Sequence, residues 1–142
     1  DIAKGWIPVA LFPLWDTSTV WTWALAYGAA AVIGHVFSIY VRFRGGKGVA
    51  TGTGVFLALA PLAVLAGLVV WTALVLATGY VSLASIAAAI VLPVVVLLAH
   101  GPGPVLYLAV ALAAFVVYGH RANIGRLRRG EEHRFRRKAR IS

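Results

Sequence analysis

The sequence predicts an all-α, polytopic integral membrane helix bundle, and three observations carry that prediction. Of 142 residues, 61% are hydrophobic and only 12% charged, with mean hydropathy +0.90. Soluble domains carry about twice that share of charge. From Val49 to Gly119 there is no Asp, Glu, Lys or Arg, over a stretch more than three times the ~20 residues one crossing needs. The basic residues are segregated: Lys4, then Arg42, Arg44 and Lys47, then nine from Arg121 to Arg140.

Six membrane segments follow in order. Gly5 to Trp15 is apolar but short, with Pro8 and Pro13 inside it, and reads as a short or kinked span. Asp16-Thr17-Ser18-Thr19 makes a turn and offers helix caps. Val20 to about Val41 is a full span with Trp15, Trp21 and Trp23 clustered at its start, as interfacial aromatics are. Val49 to Tyr80 is too long for one ordinary span. Pro61 divides it into Val49–Ala60 and Pro61–Gly79, since proline is tolerated in the first turn of a helix. Ser82–Ala99 contains Pro93. Gly101-Pro102-Gly103-Pro104 is a breaker, and the last span runs from Val105 to about Gly119.

Charge tests this partition. Lys and Arg collect in cytoplasmic loops, so the loop at Arg42–Lys47 and the tail at 121–140 should share a face. That requires an even number of crossings between them. Dividing at Pro61 gives four, whereas one helix over 49–79 would give three. Lys4 falls on the same face, and the loops at Asp16–Thr19 and His100–Pro104 fall opposite. The chain reads as one membrane-embedded domain over 1–142, with a basic cytoplasmic tail over 122–142. Beyond Gly130 the tail is polar enough to be partly disordered when free. The face that carries these basic segments and the C-terminus is expected to be cytoplasmic.

The net charge of +9 and pI of 10.9 would ordinarily point to nucleic acid. The apolar bulk instead makes membrane lipid and phosphorylated substrates the expected partners. There is no cysteine and only four acidic residues, none inside a span. No metal or cofactor is therefore expected.

Two segments can carry chemistry. In Arg42-Phe43-Arg44-Gly45-Gly46-Lys47-Gly48-Val49-Ala50-Thr51, glycines surround one lysine. Glycine lets the backbone approach a ligand, and successive N–H groups can form an anion nest. The following helix N-terminus adds positive potential, Lys47 a full charge and Thr51 a hydroxyl. The spacing is not that of a Walker A loop, because Gly48 and not Ser or Thr follows Lys47. A basic loop that orients the chain and touches anionic lipid is the alternative. Gly52 and Gly54 fit close helix packing of the small-xxx-small kind, the preferred reading for Gly54. In the second segment, from Tyr118 to His133, a helix would place His120, Asn123 and Arg126 on one face. That aligns a base titrating near neutrality, an amide and a guanidinium. A solvated basic helix end is the alternative here. His100 and His133 read as interfacial and solvated.

Both segments resemble signatures of the bacterial acyl-phosphate:glycerol-3-phosphate acyltransferases, the PlsY-type enzymes. Gly34, His35, Phe37 and the run Gly45-Gly46-Lys47-Gly48-Val49-Ala50-Thr51 match the family's second signature. His120, Asn123, Ile124, Arg126, Leu127, Gly130 and Glu132 match its third. Asp1-x-x-Lys4-Gly5 and Gly79-Tyr80-Val81-Ser82-Leu83 resemble shorter elements. Ser38 departs from a usual Pro, and Glu131 from a usual Thr. The family's first signature, Ser-Gly-Asn-x-Gly-Ala-Thr-Asn, would precede Asp1. With six spans here and seven in the family, the chain is expected to lack the N-terminal span.

The resemblance implies acyl transfer from acyl phosphate to the 1-hydroxyl of glycerol 3-phosphate, giving lysophosphatidate and phosphate, the first step of phospholipid synthesis. It implies catalytic roles for His120, Asn123 and Lys47. It implies phosphate or substrate contacts from Gly45, Gly46, Lys47, Gly48, Thr51, Arg126, His35 and Glu132. The rival class is a transporter or an anionic-lipid-binding scaffold. Transporters commonly place ionisable residues near mid-membrane, and here only His35, close to a span's end, comes near one.

Overall fold

The computed structural model describes residues 1–15, 21–36 and 47–135. They form seven helices: α1 (Ile2–Trp15), α2 (Trp21–Val36), α3 (Val49–Leu59), α4 (Pro61–Thr78), α5 (Val81–His100), α6 (Pro104–Gly119) and α7 (Arg121–Arg128). Each of the six expected apolar segments is a helix, and the breakers act where the sequence puts them. Pro61 opens α4 at its first position after Ala60 leaves helical geometry, Gly79 closes it with φ +75°, and Gly101 closes α5.

Length separates these helices. By length and apolarity α4 and α5 can each cross a bilayer alone, and α6 with α7 makes a third candidate bent by 55°. At ~1.5 Å per residue, α1 reaches about 21 Å and α3 about 17 Å, against a hydrocarbon core of ~30 Å. The six expected spans are six apolar helices, of which two, or three with the bent α6–α7 pair, have the length to cross among the described residues. Leu62, Leu65, Leu68, Val69 and Leu76 of α4 and Leu98 of α5 stand exposed, an apolar surface suited to lipid.

The core lies where α3, α5 and α6 meet, around the fully buried Val55, Phe56, Val96 and Val116. Helix α1 crosses α3 at backbone contact distance. A Cβ at Gly5 would overlap the Thr51 carbonyl oxygen, and one at Gly54 would overlap that of Ile2. Gly54 is therefore the packing glycine it reads as in the sequence. Gly52 is pressed by the side chain of Leu112.

The shared face that the charge pattern requires is present. Lys47, just ahead of α3, bonds Asn123 of α7, and the Phe135 N–H donates to the Gly79 carbonyl after α4 (2.7 Å). The start of α3, the α4–α5 turn and the end of α6 therefore share one face. Of the tail beyond Gly130, residues 131–135 are docked on this face. Arg42, Arg44, Gly45, Gly46 and the tail beyond Phe135 lie outside the described residues.

Candidate active site

The site begins with two backbone devices. Gly48 stands at the N-cap of α3 with φ +77°, a left-handed conformation that other residues adopt at a cost of ~1–2 kcal/mol. A Cβ there would also come within 3.1 Å of the Phe115 ring. Gly48 thereby aims Lys47 across Gly119, where a Cβ would meet the Lys47 Cβ at 3.6 Å. The second device ends α7. The Glu131 N–H donates to the Arg126 carbonyl (2.8 Å) and the Gly130 N–H to that of Leu127 (3.1 Å), with Gly130 at φ +71°. This Schellman closure reverses the chain and returns Glu132 to the face it has just left.

The side chains then form one polar relay. Lys47 Nζ donates to Asn123 Oδ1 (2.5 Å), Asn123 Nδ2 donates to Glu132 Oε1 (2.6 Å), and Arg126 Nε donates to Glu132 Oε2 (2.7 Å). The order of charges sets the Asn123 amide: its oxygen must face the ammonium and its NH2 the carboxylate. Asn123 is buried, and the Glu132 side chain is only 6% exposed. The hydrogen bond from Asn123 is the main cause that holds the Glu132 carboxyl down at about 2, against the opposing effect of burial. Arg126 adds to the lowering, and so does the nearby Ser82, although its buried hydroxyl closes no hydrogen bond of standard geometry. Arg126 remains 42% exposed, which leaves its terminal nitrogens for a ligand.

His120 occupies the 55° bend between α6 and α7 and is 4% exposed. Its Nδ1 lies 2.8 Å from the Val116 carbonyl. A carbonyl only accepts, so Nδ1 carries the hydrogen and Nε2 of the neutral ring keeps its lone pair. Burial is the first cause that lowers its pKa below the ordinary 6.5, with Lys47 acting in the same direction. His120 is thus neutral at pH 7 and offers one nitrogen as a base.

His120, Asn123 and Arg126 are brought together as their helical spacing predicts, Lys47 and Glu132 join them, and Gly48 shapes the entry. Three residues stand differently. Thr51, expected to offer its hydroxyl to phosphate, is fully buried on α3 with no partner for that hydroxyl. His35 lies in the last turn of α2, its Nδ1 3.8 Å from Asp1 Oδ1. Glu132, expected among the phosphate contacts, has both oxygens committed to Asn123 and Arg126, and its charge would repel a phosphate. It braces its neighbours. Sequence reasoning did not assign Phe115 or Ser82 to this site. Ser82 sits in the Gly79–Leu83 element, whose match to the family was its one signal.

A cavity of about 250 Å³ opens between α2, α3 and α6, lined by Val32, Val55, Phe56, Leu108, Leu112 and Phe115 among others. Its wall is almost wholly apolar. Phe115 and Leu112, which touch Gly48 and Gly52, connect it to the polar relay.

The family model described as glycerol-3-phosphate acyltransferase matches residues 1–130. Among curated relatives, the glycerol-3-phosphate acyltransferase of Geotalea daltonii is 44% identical over 96% of this chain and 70% of its own length. That of Aquifex aeolicus is 42% identical over 95% and 70%. The fold superposes with TM-score 0.86, at 39% identity, on a crystal structure of PlsY (YgiH), an integral membrane glycerol 3-phosphate acyltransferase, in its glycerol 3-phosphate form. That match covers 95% of this chain and 67% of the other. The lysophosphatidic acid form matches with TM-score 0.84. With matched signatures along its length, a shared fold and relatives above 40% identity, this chain belongs to the glycerol-3-phosphate acyltransferase family.

Proposed function

We propose that this membrane enzyme moves a fatty acyl group from acyl phosphate to the 1-hydroxyl of glycerol 3-phosphate, on the cytoplasmic face of a bacterial membrane. The observation that carries the reading is a neutral, buried histidine with a free Nε2, one helical turn from an Asn–Lys–Glu–Arg relay and beside an apolar cavity.

The acceptor oxygen attacks the acyl carbonyl carbon, and its proton passes to His120 Nε2. The bond between that carbon and the phosphate oxygen then breaks, and the electron pair leaves with inorganic phosphate. The proton on His120 returns to the departing phosphate. Lys47 offsets the charge that gathers on the leaving group, with Gly48 and, from the matched signature, Gly45 and Gly46 completing the cradle. Arg126 holds the phosphate of glycerol 3-phosphate, and Asn123 sets the distance between the two. Glu132 contacts no phosphate in this scheme. It fixes Asn123 and Arg126 so that little reorganisation is needed during transfer. The acyl tail lies in the cavity between α2, α3 and α6.

Lys47→Ala, assayed in the membrane-embedded protein with palmitoyl phosphate, tests the scheme. Turnover is expected to fall at least a hundredfold, the scale typical of removing one charge-stabilising group. Unchanged turnover and acceptor KM would remove Lys47 from the mechanism.

A further inference from the structure

Asn123 and Arg126 hold Glu132 by hydrogen bonds, but the residue sits on a segment after α7 that has no helix of its own to fix its path. Glu132 is an ionised carboxylate held almost out of water, and desolvation alone drives such a group back to solvent. Gly130 brings it to the site from one side. From the other side the chain is tied to the α4–α5 turn, the Gly79-Tyr80-Val81-Ser82-Leu83 element to which the reaction assigns no part. Arg134 Nε donates to the Tyr80 hydroxyl (2.7 Å), and the guanidinium lies 4.8 Å from the Tyr80 ring centroid, within the ~6 Å of a cation–π contact. The Phe135 N–H donates to the Gly79 carbonyl (2.7 Å), while its ring is 68% exposed, so the anchor at Phe135 is main chain. Ser82, at the start of α5, forms a buried wall beside Glu132. The segment from Glu131 to Phe135 is thus a strap, sewn to the turn at its far end and carrying Glu132 in its middle.

We propose that Tyr80, clasped to Arg134, is a positioning residue for acyl transfer: it holds this strap against the α4–α5 turn and so seats Glu132 under Asn123 and Arg126. The inference rests on the functional reading above. Tyr80 touches no reacting atom. Its effect reaches the reaction through Glu132, then through the orientation of Asn123 and Arg126.

Tyr80→Leu removes both the hydroxyl and the ring. It is expected to lower kcat about tenfold, the loss of one cation–π and one hydrogen bond, and to raise the KM for glycerol 3-phosphate through Arg126. Tyr80→Phe keeps the ring and should retain most of the activity. A covalent replacement of the clasp separates positioning from mere stability. A Cβ at Gly79 would lie 3.7 Å from the Arg134 Cβ, inside the ~3.5–4.5 Å range of disulfides, and the chain has no cysteine of its own. A cysteine at φ +75° carries a backbone cost, so Gly79→Cys alone is the reference for both redox states. The Gly79→Cys/Arg134→Cys protein, when reduced, should resemble Tyr80→Leu. Oxidised, it should recover at least half of the Gly79→Cys kcat and the lower KM. Tyr80→Leu with unsubstituted kcat and KM would overturn the proposal. So would a disulfide confirmed by thiol counting that leaves kcat at its reduced-state value. Absence of acyl transfer in the unsubstituted chain would sink the functional reading instead, while disulfide formation would still report whether the strap lies on the turn.

Discussion

Glu132→Gln is the sharpest perturbation the site offers, because it changes one charge and almost no volume. The carboxylate accepts from Asn123 on one oxygen and from Arg126 on the other. A glutamine can accept on one side only, so its NH2 must face a donor. If it faces Asn123, that amide must turn over and present its own NH2 to Lys47. If it faces Arg126, two donors oppose each other, and in either orientation the guanidinium loses its counter-charge. The magnitude follows from the carboxyl's displacement from 4.5 to about 2. At ~1.36 kcal/mol per pKa unit this is about 3 kcal/mol in favour of the folded, ionised form. That stability is fully present above pH 4.5 and is lost as the pH falls towards 2. Tryptophan-monitored thermal unfolding in detergent should show E132Q melting on the order of 10 °C lower at pH 7. Its melting point should also lack the decline between pH 4.5 and 3 that the unsubstituted protein shows. Turnover should fall at least tenfold. Equal melting points and equal turnover at pH 7 would refute the relay.

Three further outcomes follow from the same geometry. Because burial lowers the His120 pKa, the pH–rate profile should be flat around pH 7 and fall only on the acid side, below 6.5. His120→Gln should cut the rate by ~10²–10⁴ and abolish that acid limb, and survival of both rate and limb would assign the proton to the donor's own phosphate. Gly54→Ala must push α1 off α3 at Ile2 and should destabilise by ~1–3 kcal/mol or more in thermal unfolding, whereas Thr51→Val should leave the KM for glycerol 3-phosphate unchanged. Ala111→Phe, on the cavity wall, should lower kcat/KM for palmitoyl phosphate more than for a short-chain acyl phosphate, and an equal effect on both would place the acyl tail elsewhere.

Much of this was legible in the sequence where one residue type has one strong physical meaning. Pro61, Gly79 and the Gly101–Pro104 breaker end helices by what they cannot do, and the structure ends helices there. Segregated Lys and Arg demanded that Lys47 and the tail share one face, and Lys47 bonds Asn123 there. The helical spacing of His120, Asn123 and Arg126 brought three groups to one place. What stayed hidden depends on contacts between segments far apart in the chain. Thr51 is sealed by packing that exists only once α1 crosses α3 at Gly5 and Gly54. Glu132 reads as a ligand from its signature but as a brace once Gly130 has reversed the chain. Pro8 and Pro13 suggested a short or kinked first segment, and Ile2–Trp15 is one short helix of 14 residues, whose length alone does not reveal whether it crosses.

The central claim is that the Lys47–Asn123–Glu132–Arg126 relay and His120 carry out acyl transfer from a phosphate leaving group. Its most direct test is a stoichiometric one: inorganic phosphate and lysophosphatidate measured together, with palmitoyl phosphate as donor, with and without glycerol 3-phosphate. The account predicts equal molar amounts of both products, formed only when glycerol 3-phosphate is present. Phosphate released at the same rate without the acceptor, or acceptor bound with no acyl product, would contradict it.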